Sequence, residues 1–241
     1  MFDRIRRLPW FKPADERILE NRAYFKDFDQ TRPLTDYSFV VFDTELTGLN
    51  RKKDEIISIG AVRIKNLQID LGETFHRFIK PEKLDHTEAT LVHRITPEQL
   101  KDAPPMEQVL PEFLSFVGNS LIVGHYVGLD MSFLHRVTEK HYNGTLMNPC
   151  VDTIRMAQGY KRVMFGYYHE GGTTNSRYSL KDLSEEFNLP FFEAHDALED
   201  AMQTAYLFLY LIKKFRKGGL ITLRELYQAG RESDWRVLSS G

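Results

Sequence analysis

The chain of 241 residues has one cysteine, Cys150, and no apolar run of membrane-spanning length. A single thiol cannot close an intramolecular disulfide, and a helix needs about 20 consecutive apolar residues to cross a bilayer. The start, MFDRIRRLPWF, also lacks the apolar segment of a secretory signal peptide. We therefore expect a cytoplasmic location and no association with a membrane.

Neither sign of charge dominates, because 32 lysines and arginines oppose 34 aspartates and glutamates, giving a formal net charge of −2. A polyanion would have to be held by local basic patches or by metal ions, since overall attraction is absent. The candidate patches are Arg51 to Lys53, Lys161 with Arg162, and Lys213 to Lys217. Each is also typical of a solvated surface, and only the first lies close in sequence to the acidic residues discussed below.

The pattern of residues predicts one α/β domain between two extensions. Residues 1–36 are polar with scattered aromatics and contain Pro13 and Pro33, which indicates an N-terminal arm with a short helix. From residue 37, three short β-branched segments, at about 37–43, 55–64 and 73–79, predict an antiparallel meander, after which strands alternate with helices. We expect a mixed sheet with helices on both faces over residues 37–215, then a C-terminal helical tail over 216–241.

Two carboxylates close the apolar run VVFDTE. Because strand side chains alternate, Asp43 and Glu45 point to the same side of the sheet. Two such acids raise each other's pKa unless a cation lies between them, and oxygen ligands of this kind suit Mg²⁺ or Mn²⁺. Asp-x-Glu is a common triplet, however, and by itself it is equally typical of an acidic turn.

Further acids strengthen the metal hypothesis. Asp130 falls in the first turn of the helix that follows the strand LIVG, where a carboxylate can also serve the helix dipole. In HDALED, Asp196 and Glu199 have the spacing of capping residues, which leaves Asp200 and His195 without a structural role. A buried acid such as Asp200 needs a partner or a metal.

Taken in order, these motifs resemble the DnaQ-like 3′-to-5′ exonucleases of the DEDDh type. The motifs are Asp43-x-Glu45, Asp130 in the context Gly-His-x-x-x-x-Asp, and His195 five residues before Asp200. The segments LVHRITPEQL and YSLKDLSEEFNLP are similar to family segments as well, and the resemblance extends from about Tyr37 to Lys214. Several ordered motifs are far more specific than any one of them.

The resemblance implies an RNase H-like five-stranded mixed sheet in which the acids converge at the edge of the first strand, beside the fourth. Asp43, Glu45 and Asp200 would hold one Mg²⁺ or Mn²⁺ ion, while Asp43 would bridge to a second with Asp130 assisting through water. Two cations about 3.5 to 4 Å apart can stabilise the attacking and leaving oxygens of phosphodiester cleavage. His195 would be the general base, a task that suits a side chain whose charge changes near neutral pH.

Some positions depart from the family pattern. Leu46 stands where a threonine is usual, and Tyr126 and Leu129 replace residues that are often Asn and Phe, which puts the specificity of the cleft in doubt. His125 is expected to be a hydrogen-bonded, partly buried residue. The glycine-containing segment 166–178 is expected to form a surface loop that could act as a lid.

The expected partner is nucleic acid with a free 3′ end, with single-stranded DNA favoured, and a polymerase could bind through the terminal arms. Three alternatives stay open at this point. One is an RNA-directed exonuclease with the same motifs, since discrimination of the 2′-OH lies in details of the cleft. Another is an aspartyl-nucleophile phosphatase, which Glu45 and the His-Asp pair disfavour. The last is a non-catalytic nucleic-acid-binding module. Proofreading, repair and RNA trimming are not distinguished by these residues.

Overall fold

The computed structural model describes residues 13–84, 88–165, 178–192 and 195–229. Its strands are β1 (Phe39–Leu46), β2 (Ile56–Lys65), β3 (Gln68–Phe78), β4 (Leu121–Gly124) and β5 (Cys150–Asp152). Its helices are α1 (Glu16–Phe25), α2 (Thr90–His93), α3 (Pro97–Leu100), α4 (Met106–Val117), α5 (Val127–Tyr142), α6 (Thr153–Phe165), α7 (Leu180–Glu186), α8 (Ala197–Lys217) and α9 (Leu223–Ala229). A short 3₁₀ helix, Leu34–Asp36, precedes β1.

The five strands form one mixed sheet in the order β3-β2-β1-β4-β5. β1 is antiparallel to β2 and parallel to β4, β2 is antiparallel to β3, and β4 is parallel to β5. The predicted antiparallel meander followed by parallel strands is therefore confirmed. The carboxyl ends of β1, β4 and β5 lie at one edge of the sheet, which is where open α/β sheets carry their sites.

Alternating residues of β1 pack against opposite helical layers. Phe39 lies 5.1 Å from Phe208 of α8, measured between ring centroids, whereas Phe42 lies 5.5 Å from Phe113 of α4. Both layers bury their apolar side chains against the sheet and form separate clusters on its two faces. Odd-numbered positions of β1 consequently face α8, and even-numbered positions face α4 and α5.

The first strand is longer than the sequence pattern indicated. We expected it to end at Asp43, but β1 continues to Leu46, with a register shift between Glu45 and Leu46. Pairing with β4 covers only residues 39–41, so the last residues of β1 are hydrogen-bonded to β2 alone. Asp43 and Glu45 therefore lie on a firmly paired strand beside an opening that β4 does not fill.

The described parts of both extensions pack on the sheet domain. Ile18 of α1 is fully buried, and the backbone N–H of Asp15 donates to the carbonyl of Tyr142 at 2.9 Å. The N–H of Leu34 donates to the carbonyl of Ile221 at 2.9 Å, which ties the two extensions together. The domain limits at residues 36 and 215 stay predictions.

Two further expectations concern the loop and the membrane. The predicted loop 166–178 lies outside the described residues except for its last residue, Tyr178. No helix within the described ranges combines the length and apolar character that crossing a bilayer requires.

Candidate metal centre

Three carboxylates from two elements converge at the open end of β1. Asp43 and Glu45 of β1 and Asp200 of α8 each offer one carboxylate oxygen, and these oxygens all lie within 4.8 Å of one another. The three side chains are half-buried, so they form a pocket that one side of the molecule leaves accessible. The sequence pattern predicted the pairing of Asp43 with Glu45, and the structure adds Asp200 from 155 residues further along the chain.

A close contact between helix and strand brings Asp200 to this position. Gly60 of β2 pairs with Asp43, and the first turn of α8 packs directly against it. A β-carbon at Gly60 would lie 2.1 Å from the carbonyl carbon of Ala197 and 2.1 Å from the nitrogen of Leu198. Real contacts of this kind do not occur, so a residue without a side chain is required for α8 to approach β2 this closely.

Asp130 lies beside this group and is not one of its three members. It is 5% exposed on α5, and its Oδ1 accepts a hydrogen bond of 2.5 Å from the hydroxyl of Thr44. Thr44 occupies the even-numbered face of β1, opposite Asp43 and Glu45. The negative charge of Asp130 nevertheless contributes to the raised pKa of Asp43, after burial, the largest cause. Assistance by Asp130 through water stays a prediction.

All four acids have raised pKa values. Burial raises the pKa of Asp43 well above its ordinary range, and the charges of Asp130, Asp200 and Glu45 raise it further. Burial, with the Asp200 charge next in importance, raises the pKa of Glu45 to about 8. Burial also raises the pKa of Asp130 to about 7 and that of Asp200 above its ordinary value. Mutual repulsion of this kind is relieved by a divalent cation, and an all-oxygen donor set fits Mg²⁺ or Mn²⁺.

His195 lies at the rim of the site immediately before α8. Its backbone is in the left-handed region, with φ 73°, and its N–H donates to Oδ2 of Asp200 at 2.9 Å. That bond orients the Asp200 carboxylate. The residue is exposed, so its imidazole is open to solvent at the edge of the pocket. Its role as general base stays a prediction.

The start of α8 differs in one detail from the expected capping box. Asp196 is the N-cap, and its Oδ1 accepts from the N–H groups of Leu198 at 3.0 Å and Glu199 at 3.1 Å, as predicted. Glu199 does not complete the box, because its buried Oε2 has no partner among the described atoms. Asp200 accepts the backbone N–H of His195, which gives this acid a structural role in addition to its place among the carboxylates.

The sequence pattern missed Asp152, which ends β5 as Asp43 and Glu45 end β1. Its carboxylate accepts from the N–H of Ile154 at 3.0 Å and from that of Tyr126 at 3.3 Å. Burial raises the pKa of Asp152, and its charge contributes to the raised pKa of Asp130. The sequence did carry a signal for Asp152, because this acid stands at the carboxyl end of a short strand in the segment PCVDT.

Tyr126 and His125 shape the wall next to Asp130. Tyr126 has φ 60°, a left-handed conformation that Asn adopts more readily, which accounts for the usual Asn at this position of the family pattern. His125 has Nδ1 2.9 Å from the hydroxyl of Thr153 and Nε2 2.9 Å from the carbonyl of Tyr178. Burial lowers the pKa of His125 to about 4, so the ring is neutral and structural, as expected. Since Nε2 must donate to a carbonyl, Nδ1 accepts from Thr153.

The sequence matches one protein family and several known relatives. The family model described as Exonuclease, RNase_T, matches residues 40–208. A DNA polymerase III PolC-type of Thermotoga petrophila is 33% identical over 223 residues, which cover 92% of this chain and 15% of that protein. A DNA polymerase III PolC-type of Caldanaerobacter subterraneus is 34% identical over 188 residues, covering 78% of this chain and 12% of that protein. The chain thus spans about 12 to 15% of the length of these relatives.

Solved structures show the same fold at lower identity. Exonuclease X in complex with 5′ overhanging duplex DNA superposes with a TM-score of 0.57 and 21% identity, covering 80% of this chain and 99% of that one. E. coli Exonuclease I in complex with a dT13 oligonucleotide superposes with a TM-score of 0.62 and 17% identity, covering 76% of this chain and 43% of that one. These likenesses confirm the exonuclease-like α/β fold that the motifs implied.

Proposed function

Because the chain belongs to the RNase_T family of 3′-to-5′ exonucleases, we propose that it removes nucleotides from the 3′ end of DNA with the help of two divalent cations, Mg²⁺ or Mn²⁺. The observation that carries this proposal is the convergence of carboxylate oxygens from Asp43, Glu45 and Asp200 within 4.8 Å of one another. These three acids and Asp130 all have raised pKa values, which is the electrostatic situation that divalent cations stabilise.

Each residue has a defined task in this proposal. Asp43, Glu45 and Asp200 would hold one cation, and Asp43 with Asp130 would serve the second. When bound, such a pair of cations stabilises the attacking and the leaving oxygen of an in-line displacement at phosphorus. His195, exposed at the rim, would accept the proton of the attacking water. The firm pairing of β1 with β2 keeps the carboxylates fixed while the substrate enters.

DNA is favoured over RNA by the identity of the relatives. Those with the highest similarity reported above are DNA polymerases of the PolC type, and both solved neighbours were crystallised with DNA. A role in proofreading, with a polymerase bound through the terminal segments, fits this context. An RNA-directed activity or a role in repair would use the same carboxylates, so the substrate requires a direct comparison.

Parallel digestion of matched oligonucleotides tests the proposal. We expect a 3′-labelled single DNA strand to be degraded with Mg²⁺ or Mn²⁺, faster than the RNA of the same sequence, and not at all in EDTA. Asp43→Asn should abolish the activity, whereas Asp102→Asn, at an exposed acid away from the carboxylate group, should preserve it. Cleavage that persists in EDTA would refute the metal mechanism, and faster cleavage of RNA would reassign the substrate.

A further inference from the structure

A groove beside the β1–β2 turn is lined by charged side chains that the proposed chemistry does not use. It has a volume of about 750 Å³ and lies between this turn, the segment after β3 and the helices α4 and α5. Its lining holds six cationic residues against four acidic ones: Lys52, Lys53, Lys80, Lys83, Arg136 and Lys140, with Asp54, Glu55, Glu82 and Glu107. The groove is therefore net positive in a chain whose net charge is −2. We call it the lysine groove.

Three of the four acids of the lysine groove form local contacts. Asp54 accepts the N–H of Asn50 at 2.7 Å, and Glu55 accepts the N–H of Glu82 at 2.9 Å. The carboxylate of Glu82 pairs with Lys140 at 3.1 Å. The carboxylates of these three acids are thus held against the walls of the groove by hydrogen bonds and an ion pair.

Three lysines of the groove have no acidic partner among the described residues. Lys52, Lys53 and Lys83 are exposed, and their ammonium groups form no ion pair with any residue in the described part of the chain. By contrast, Lys161 of the second basic patch pairs with Glu186. Unpaired ammonium groups on two walls, the β1–β2 turn and the segment after β3, give the groove the character of a polyanion site.

The turn that carries two of these lysines is held in one conformation. The guanidinium of Arg136 donates to the carbonyl of Arg51 at 2.6 Å and to the carbonyl of Asp54. The N–H groups of Lys53 and Asp54 both donate to the carbonyl of Asn50, at 3.0 and 2.9 Å. The positions of Lys52 and Lys53 relative to α5 are therefore set by the backbone.

The lysine groove also adjoins the metal centre along the chain. Thr47 lines the groove, and it follows Glu45 by two residues. The N–H of Thr47 donates to the carbonyl of Glu55 at 2.9 Å, which joins the two ends of the turn. The turn that lines the groove is therefore the direct continuation of the strand that carries Asp43 and Glu45.

We propose that the lysine groove binds phosphates of the substrate strand upstream of the bond that is cleaved. The inference rests on the proposed exonuclease function and extends it to the rest of the substrate. The carboxylates of the site repel a polyanion, and overall charge supplies no attraction, so local cations must contribute the affinity. Lys52 and Lys53 would supply them from the turn that follows β1, and Lys83 from the segment after β3.

The test compares two double variants. Lys52→Ala/Lys53→Ala removes two groove cations, while Lys213→Ala/Lys217→Ala removes the same charge at the opposite end of α8 from Asp200. Both pairs lie outside the proposed catalytic residues. Two substrates are used: a single-stranded DNA of 20 nucleotides, and a thymidine 5′-monophosphate p-nitrophenyl ester, which has no upstream phosphates.

We expect the groove variant to raise KM for the 20-mer roughly tenfold. The slope of log KM against log salt concentration should fall by about 1.4, because each of the two lysines contributes about 0.7 on a single strand. Hydrolysis of the ester and kcat on the 20-mer should be unchanged, and the control variant should match the native chain. Unchanged KM and salt slope in the groove variant would overturn the proposal. Equal effects in both variants would overturn it as well.

A binding measurement distinguishes failure of this inference from failure of the proposed function. Fluorescence anisotropy of the labelled 20-mer in EDTA reports affinity without cleavage. If the native chain hydrolyses neither substrate, the exonuclease proposal fails. The groove proposal is then still supported by weaker binding of the groove variant alone, or refuted by equal binding of both variants.

Discussion

Placing a methyl group on Gly60 tests how the metal centre is assembled. In Gly60→Ala the new carbon would lie 2.1 Å from the backbone of Ala197 and Leu198, where an ordinary contact needs at least 3.4 Å. Because these are backbone atoms of α8, no side chain can rotate away. The helix would have to withdraw from β2 by about 1.3 Å, or the strand would have to bend.

Two consequences of this displacement can be measured separately. Overpacking of this kind costs about 1 to 3 kcal/mol of unfolding free energy. Asp200 lies one turn beyond Ala197, so it moves with the helix and leaves its place opposite Asp43. A misplacement of about 1 Å at a catalytic centre can cost about 10²-fold in rate. We therefore expect kcat to fall by about that factor and the affinity for Mn²⁺ to fall with it.

The assay combines thermal unfolding, Mn²⁺ binding by titration calorimetry, and hydrolysis of a DNA oligonucleotide at a temperature where the variant is fully folded. Gly72→Ala is the matched control, because a β-carbon at Gly72 would meet only the carboxylate of Asp70 at an ordinary 3.4 Å. A Gly60→Ala protein with native Mn²⁺ affinity and kcat would refute the role given to the contact between α8 and β2.

Three other perturbations follow from the same site. His195→Ala should lower kcat by about 10²- to 10⁴-fold with Mn²⁺ affinity largely kept; unchanged turnover would remove His195 from the mechanism. Thr44→Val removes the hydroxyl that donates to Asp130, so the pKa of that carboxyl should rise further and the pH optimum of the activity should move upward. The free energy of unfolding should fall by about 1 to 3 kcal/mol. An unchanged pH profile would contradict this. The folded, metal-free protein holds protons on Glu45 up to a pKa of about 8 and on Asp130 up to about 7, whereas the unfolded chain releases them near pH 4. The free energy of unfolding of the protein without metal should therefore fall as pH rises from about 5 to 8, and Mg²⁺ should raise the unfolding temperature more at pH 8 than at pH 6. Thermal melts in EDTA and in Mg²⁺ check both expectations. A protein that gains stability over this pH range in EDTA would disprove the effect.

Local patterns in the sequence were sufficient for several parts of the fold and site. Strand periodicity alone places Asp43 and Glu45 on one face, and Asp196 marks the start of α8 because a short polar side chain can accept the first free N–H groups. The meeting of Asp200 with that pair was available only from the resemblance to a family. Pairing between segments so far apart is set by tertiary packing, which short-range periodicity does not encode.

Other features depend on contacts that no local pattern reports. β1 extends past Asp43 because β2 supplies hydrogen bonds that β4 does not. Glu199 has capping spacing, yet its buried Oε2 accepts no hydrogen bond among the described residues. Gly60 is one glycine among 15 in the sequence, and its importance is visible only once α8 lies against it.

The central claim is that Asp43, Glu45 and Asp200 bind divalent cations in one pocket. Crystals grown with Mn²⁺ and a non-hydrolysable nucleotide, measured for anomalous scattering at the manganese edge, test it most directly. We predict two anomalous peaks in this pocket, with oxygens of Asp43 contacting both. A map without a peak there, or with manganese bound only at other carboxylates, would contradict the assignment.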